Sequence, residues 1–167
     1  MIHESEITIR EVTPDDIEYV HRLNEEAVPN MNSLGIEEVR WFVEAAAWFR
    51  LPVVDGQPAG FLIALDPRTA YRSMNFLWFK ARYPSFIYID RVVVAKHARQ
   101  RGIGRRLYEE LQVWTRGRSP RITCEVNLDP PNPGSLAFHH ALGFREVGRQ
   151  HTEGGSKLVS LMTLELA

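Results

Sequence analysis

The residues best suited to chemistry form one short basic stretch, Arg99–Gly104, which contains two glycines and two arginines. A β-rich run ends directly before it at Val94, and a helical pattern follows it. The apolar face of that pattern consists of Ile103, Leu107, Leu111 and Trp114. Glycines let the backbone approach a ligand closely, and the first amides of a helix have no partner within the helix. The stretch therefore predicts a phosphate or pyrophosphate site, with a sharp corner that binds nothing as the alternative.

Two common phosphate-binding loops do not fit this turn. It lacks the Gly-Lys-Ser/Thr sequence of a Walker-type loop. It also lacks the third glycine of the dinucleotide fingerprint, and it lies in the middle of the chain rather than after a first strand.

Two segments resemble the sequence motifs of one enzyme family. Val92–Leu111 resembles motif A of the GNAT N-acetyltransferase superfamily, whose signature Gln/Arg-x-x-Gly-x-Gly/Ala reads here Arg99-x-x-Gly102-x-Gly104. Asn132–Phe144 resembles motif B, an Asn followed by a short helix and Leu-Gly-Phe. The two motifs occur in the family's order and spacing, so together they are far more specific than either alone.

The resemblance implies a single acetyltransferase domain over residues 1–167. Its expected fold class is α/β, with an α+β mixed sheet of about seven strands flanked by about four helices. The sheet is expected to open between the strand ending at Val94 and the strand ending near Val126.

The implied cofactor is acetyl-CoA, used as acyl donor without a metal. Pantetheine would lie in the opening of the sheet like an added strand, with its amides on the backbone of Val92–Val94. The turn would hold the pyrophosphate. The expected cofactor-binding residues are Val92, Val93, Val94, Arg99, Gln100, Arg101, Gly102, Ile103, Gly104, Arg105 and Asn132.

The implied reaction is direct transfer of the acetyl group to an amine of a small molecule or a protein. The amine must lose a proton before it attacks, and a carboxylate can accept it. Asp90, on one strand face with Tyr88 and Val92, is the first candidate base, and Glu125 is the second. The other interpretation of Asp90 is a structural carboxylate paired with Arg91 or a backbone amide.

Motif B departs from the family at His139. Many relatives carry a Tyr seven residues after the Asn, where its hydroxyl approaches the thioester sulfur, whereas the same count from Asn132 reaches His139. An imidazolium can donate a proton, so His139 is the candidate general acid. A packed or surface histidine is the alternative.

The composition of the chain argues against several other classes of protein. The net charge of -1 argues against a nucleic-acid binder. No signal peptide or membrane span is recognisable, and the single cysteine, Cys124, cannot form an internal disulfide, so a cytoplasmic protein is expected. A non-catalytic CoA-binding regulatory module is the main alternative, and a phosphate- or RNA-binding module is a weaker one.

The remaining elements are predicted from periodicity and turn residues. Asp66–Ser85, long and aromatic, is expected to be a flap packed on its own core, an acceptor-site lid or a homodimer contact. The resemblance implies that the loop between the first two helices helps to wall the acceptor site, with a simple connector as the alternative. Pro29–Ser33 and Asp66–Ser85 are therefore the stretches expected to select the acceptor. The other predicted elements are a strand at Ile7–Arg10, a helix starting at Thr13, a helix over Ile36–Phe49, a hairpin around Asp55–Gly56, strands at Arg121–Val126, Arg145–Gln150 and Leu158–Leu166, and a helix ending at Leu142.

Overall fold

The computed structural model describes residues 6–167, in which strands and helices alternate along the chain. Eight strands occur in this range: β1 Ile7–Glu11, β2 Trp48–Val54, β3 Gln57–Pro58, β4 Gly60–Leu65, β5 Ile87–Val94, β6 Arg121–Asp129, β7 Arg145–Thr152 and β8 Lys157–Glu165. Five α-helices accompany them: α1 Ile17–Glu26, α2 Ile36–Ala45, α3 Met74–Lys80, α4 Ile103–Thr115 and α5 Pro133–Leu142. The predicted fold class is confirmed, with one strand and one helix more than expected.

Local sequence explains the ends of several elements. The Asn132 side chain caps α5 by accepting a hydrogen bond from the Ser135 amide at 3.2 Å. Gly143 ends the same helix in a left-handed conformation, with φ of 100°. Asp55 and Gly56 both have positive φ values, 49° and 81°, as a tight hairpin turn requires. The predicted hairpin around Asp55–Gly56 and the predicted helix end at Leu142 are confirmed.

The predicted helix over Ile36–Phe49 is wrong at its end. Helix α2 stops at Ala45, because Ala46 adopts extended backbone with φ of -68° and ψ of 142°. Trp48 and Phe49 belong to β2, where they lie opposite Ala64 and Ile63 of β4. Pairing with a neighbouring strand outweighed the helical periodicity of this apolar run.

The chain forms two compact units, and the first holds the described residues up to Leu65 together with Asp90–Leu111. In this unit β1 runs antiparallel to β2, and β2 runs antiparallel to β4. Gly60 of β4 packs so closely on the Val93 carbonyl that a Cβ at position 60 would collide with it. Helix α1 packs on α2, with Val20 and Val39 completely buried.

The second unit comprises Asp66–Ile89 and Gln112–Ala167. Its sheet is mixed: β6 runs antiparallel to β8, whereas the first part of β5 runs parallel to β6 with Tyr88 opposite Thr123. Helix α3 lies on this sheet, where Phe76 and Phe79 are fully buried and their rings lie 5.5 and 6.0 Å from the Tyr88 ring. The aromatic stretch thus contains a short helix that packs on the sheet of its own unit.

Within residues 6–167, no helix is long and apolar enough to cross a membrane.

Candidate active site

The basic turn begins where β5 ends and finishes where α4 starts, within the first unit. Gln100 and Gly102 have positive φ values of 64° and 73°, which reverse the chain into the helix. The Gly102 carbonyl accepts a hydrogen bond from the Arg106 amide at 3.0 Å and so closes the first helical turn. The amides that precede Arg106 in α4 have no carbonyl partner within the helix. The turn therefore has the geometry of an anion site.

Cationic side chains surround this helix start. Arg101 and Arg105 are exposed, whereas Ile103 is buried at 2% exposure and anchors the turn. The Arg105 Nε donates to Glu109 Oε1 at 3.0 Å, but both side chains are more than half exposed. Such a surface ion pair contributes little free energy and can give way to a phosphate. Arg99 donates to the Val94 carbonyl at 3.4 Å.

Asp90 and Arg91 form a buried ion pair in the first unit. The Arg91 Nε lies 2.7 Å from Asp90 Oδ2, and the two side chains are only 7% and 4% exposed. Val92 and Val94 farther along the strand are half-buried. The Asp90 carboxylate is thus engaged by a guanidinium, as expected for a structural carboxylate paired with Arg91.

Glu125 of β6 is half-buried and accepts a hydrogen bond from the Tyr88 hydroxyl at 2.7 Å. Tyr88 is 1% exposed, so its ring is fixed by packing and its hydroxyl holds the carboxylate in one orientation. Sequence reasoning placed Tyr88 on the strand face of Asp90 but gave it no function. The parallel register of β5 and β6, which brings Tyr88 opposite Thr123, was the missing information.

His139 of α5 is buried at 5% exposure, with its ring edge-on to Phe138 and Phe144. Its Nδ1 lies 2.7 Å from the Ser135 carbonyl, which can only accept a hydrogen bond, so Nδ1 carries a proton. In the neutral ring Nε2 is then a proton acceptor. Burial lowers the pKa of His139, which favours this neutral form.

The predicted site residues divide between the two units. The second unit carries Glu125, Asn132 and His139, whereas the first carries Asp90, Val92–Val94 and Arg99–Arg105. The Asn132 side-chain oxygen is used as the cap of α5. No cluster of three or more metal-ligating side chains occurs among residues 6–167.

Several solved structures share this fold. NAA60 from Arabidopsis thaliana, solved with acetyl-CoA, has a TM-score of 0.78 and 19% identity over 96% of this chain and 100% of that chain. The ribosomal-protein-S18-alanine N-acetyltransferase of Escherichia coli has a TM-score of 0.74 and 17% identity over 96% and 94%. YncA of Salmonella typhimurium, solved with its cofactor acetyl-CoA, has a TM-score of 0.71 and 17% identity over 96% and 94%.

No curated protein sequence gives a significant match. The sequence profile of the acetyltransferase (GNAT) family, in contrast, matches residues 17–144, which is most of the chain and includes both motifs. The chain therefore belongs to the acetyltransferase (GNAT) family, and the enzyme class predicted from its two motifs is confirmed.

Proposed function

We propose that this protein is an N-acetyltransferase that moves an acetyl group from acetyl-CoA to an amine of a small molecule or a protein. The observation that carries the proposal is the turn at Gln100–Gly102, which presents the first amides of α4 between exposed arginines in a member of this family. Acetyl-CoA bound in NAA60 and in YncA supports the choice of acyl donor.

The turn would bind the pyrophosphate of CoA through the amides of Ile103, Gly104 and Arg105 and through the charge of Arg101. The backbone of Val92–Val94 would hydrogen-bond to the pantetheine amides. Asn132 caps α5 with its side chain, its amide donates to the Asn127 carbonyl and its carbonyl accepts from the Leu136 amide, so we assign it no contact with the cofactor.

The reaction needs a proton acceptor, because a protonated amine has no lone pair for attack. The amine nitrogen forms a bond to the thioester carbonyl carbon, its proton goes to a carboxylate, and the carbon–sulfur bond breaks to release CoA thiolate. We assign the proton to Glu125, which Tyr88 orients, rather than to Asp90, which Arg91 engages. A thiol pKa of about 8.5 makes the thiolate a tolerable leaving group, so solvent can protonate it.

An amine panel tests this function and separates it from the alternative of a non-catalytic CoA-binding module. Amino acids, polyamines, aminoglycosides and peptides with free N-termini are each mixed with acetyl-CoA and the protein. Amine-dependent release of CoA thiol, with acetylated amine identified by mass spectrometry, is the expected result. Acetyl-CoA binding in calorimetry without thiol release for any amine would establish the non-catalytic module instead. A cytoplasmic location and a homodimer stay predictions.

Exchanging each carboxylate separates the two candidate bases. We expect Glu125→Gln to lower kcat by about a hundredfold or more, because the neutral amide cannot take a proton. We expect Asp90→Asn to change kcat much less. Both variants should bind CoA like the wild type. The opposite ranking of the two kcat values would return the role of base to Asp90.

A further inference from the structure

We propose that the second unit encloses a site for one buried water molecule, held between the hydroxyl groups of Thr123 on β6 and Thr163 on β8. The inference is independent of the proposed function, since it concerns the folded chain and needs neither acetyl-CoA nor an amine. It assigns a partner to two buried polar groups that acetyl transfer does not use.

The two threonine hydroxyls are buried polar groups without a protein partner. Thr123 is 0% exposed and Thr163 is 1% exposed. Neither hydroxyl oxygen has a hydrogen-bond partner within residues 6–167. Burying a hydroxyl without a hydrogen bond costs free energy, and a valine of the same shape would avoid this cost. Two such groups in one unit therefore indicate a partner taken from solvent.

The antiparallel register places both hydroxyls on one face of the sheet. Thr123 lies directly opposite Thr163 in the pairing of β6 with β8. Residues directly opposite each other have Cβ atoms about 4.5–5.5 Å apart. An O–H···O bond spans about 2.7–2.8 Å, so a single water can bond to two oxygens separated by a similar distance. Each hydroxyl both donates and accepts, so a water can meet either one as donor or as acceptor.

Helix α3 covers this face of the sheet. Tyr88 of β5 is the neighbour of Thr123 across the parallel pairing, so its side chain lies on the same face. The rings of Phe76 and Phe79 on α3 lie 5.5 and 6.0 Å from the Tyr88 ring. A water beneath this aromatic layer is internal and exchanges with bulk solvent only when the packing opens. Its long residence time therefore distinguishes it from surface water.

The polar side chains on either side of the threonine pair have protein partners. Arg121 lies opposite Glu165, and the two side chains form an ion pair at 3.0 Å. Glu125 lies opposite Leu161 and accepts a hydrogen bond from the Tyr88 hydroxyl. The threonine pair lies between these two pairs, and its hydroxyls have no partner within residues 6–167. The need for a water is thus local to one cross-strand pair.

Valine substitutions test the site through stability, because valine has the shape of threonine without its hydroxyl. In Thr123→Val or Thr163→Val one hydroxyl is left, and a water with a single partner is not retained. We expect each single variant to unfold at a lower denaturant concentration than the wild type. The double variant should unfold at a higher concentration than either single variant, since it contains no unpaired hydroxyl. Unfolding midpoints above that of the wild type in both single variants would overturn the inference.

Magnetic relaxation dispersion of the water oxygen nucleus counts long-lived internal waters directly. We expect the wild type to hold one more such water than the double variant. Thr123→Ser is the matched variant, because serine keeps the hydroxyl and should keep the water. Equal counts in the wild type and the double variant would overturn the inference. If the double variant were then still more stable than either single variant, the two hydroxyls would bond to each other instead.

Thr8→Val is the control for the substitution itself. Thr8 also lies in a strand, β1, but it is exposed. Valine at this position should leave the number of long-lived waters unchanged and shift the unfolding midpoint little. Loss of a long-lived water in Thr8→Val as well would contradict the assignment of that water to the threonine pair.

Discussion

At the scale of single residues, one hydrogen bond fixes the orientation of the Glu125 carboxyl group, and another fixes which ring nitrogen of His139 carries a proton. Tyr88 donates to Glu125 and so holds the carboxyl group of the glutamate in one orientation. His139 donates from Nδ1 to Ser135, which leaves Nε2 as an acceptor in the neutral ring. The bond of Tyr88 joins residues 37 positions apart and does not follow from local sequence, whereas the bond of His139 lies within one turn of α5. Substitutions of Tyr88 and of His139 test these two assignments.

Tyr88→Phe removes the hydroxyl that orients Glu125 and keeps the buried ring. We expect kcat to fall about tenfold, because the base is no longer held in place, with KM for acetyl-CoA unchanged. In a Glu125→Gln background the same replacement should have no further effect on kcat. Tyr83→Phe is the control, since Tyr83 stacks on Phe79 at a centroid distance of 6.4 Å in the same aromatic cluster. Equal kcat for wild type and a folded Tyr88→Phe would exclude this role for Tyr88.

Because His139 is buried, we expect the protein to be less stable at acidic pH. Burial lowers its pKa below the ordinary value of 6.5, so the unfolded chain takes up a proton at a higher pH than the folded chain does. The free energy of unfolding should therefore decrease as the pH falls through 6.5 toward the lower pKa of the folded state. His139→Asn keeps an amide N–H able to donate to Ser135 but does not titrate. Denaturant titrations across this range should show a shallower pH dependence for the variant, and equal slopes would contradict the assignment.

At the scale of elements, helix α3 illustrates which features can be predicted from sequence patterns and which cannot. The aromatic stretch Asp66–Ser85 was recognisable as unusual, and packing on its own core was one of three interpretations. The helix itself was not predicted, because its seven residues are too few for a reliable period. Its docking depends on partners distant in sequence, such as Asn75 with Gln150 and Trp78 with Gly148. No local rule identifies such pairs.

Gly148→Ala tests this docking. A Cβ at position 148 would collide with the Trp78 ring, so we expect a loss of about 1–3 kcal/mol in the free energy of unfolding. Gly134→Ala is the control, since a Cβ there meets no atom within 4 Å and alanine suits a helix better than glycine. Replacing Trp78 by alanine as well should remove most of the additional cost of Gly148→Ala. Equal stability of Gly148→Ala and wild type would show that the Trp78 ring does not require glycine at this position.

For the whole molecule, the sequence was most informative where function requires particular residues at particular spacings. The turn Arg99–Gly104 and the helix after Asn132 were predicted from the sequence, and the family follows from the motifs that contain them. The role of Glu125 was not resolved, because it depends on Tyr88, which lies 37 positions away along the chain. The pairing of Asp90 with its neighbour Arg91 was one of the interpretations that the sequence left open. The sequence does not identify the acceptor amine either, because the segments expected to select it contain no recognisable motif.

The central claim, that the turn binds CoA through its pyrophosphate, is tested most directly by calorimetry on two glycine variants. Gly102 and Gly117 precede and follow α4, have positive φ values of 73° and 83°, and leave space for a Cβ. Valine should therefore introduce comparable backbone strain at either position.

Gly102→Val, Gly117→Val and wild type are each titrated with CoA and with pantetheine, which lacks the pyrophosphate. We expect Gly102→Val to bind CoA at least about tenfold more weakly than wild type and to bind pantetheine equally well, because a side chain at position 102 blocks approach of the phosphates. Gly117→Val should bind both compounds like the wild type. Equal CoA affinity in folded Gly102→Val and in wild type would contradict the claim.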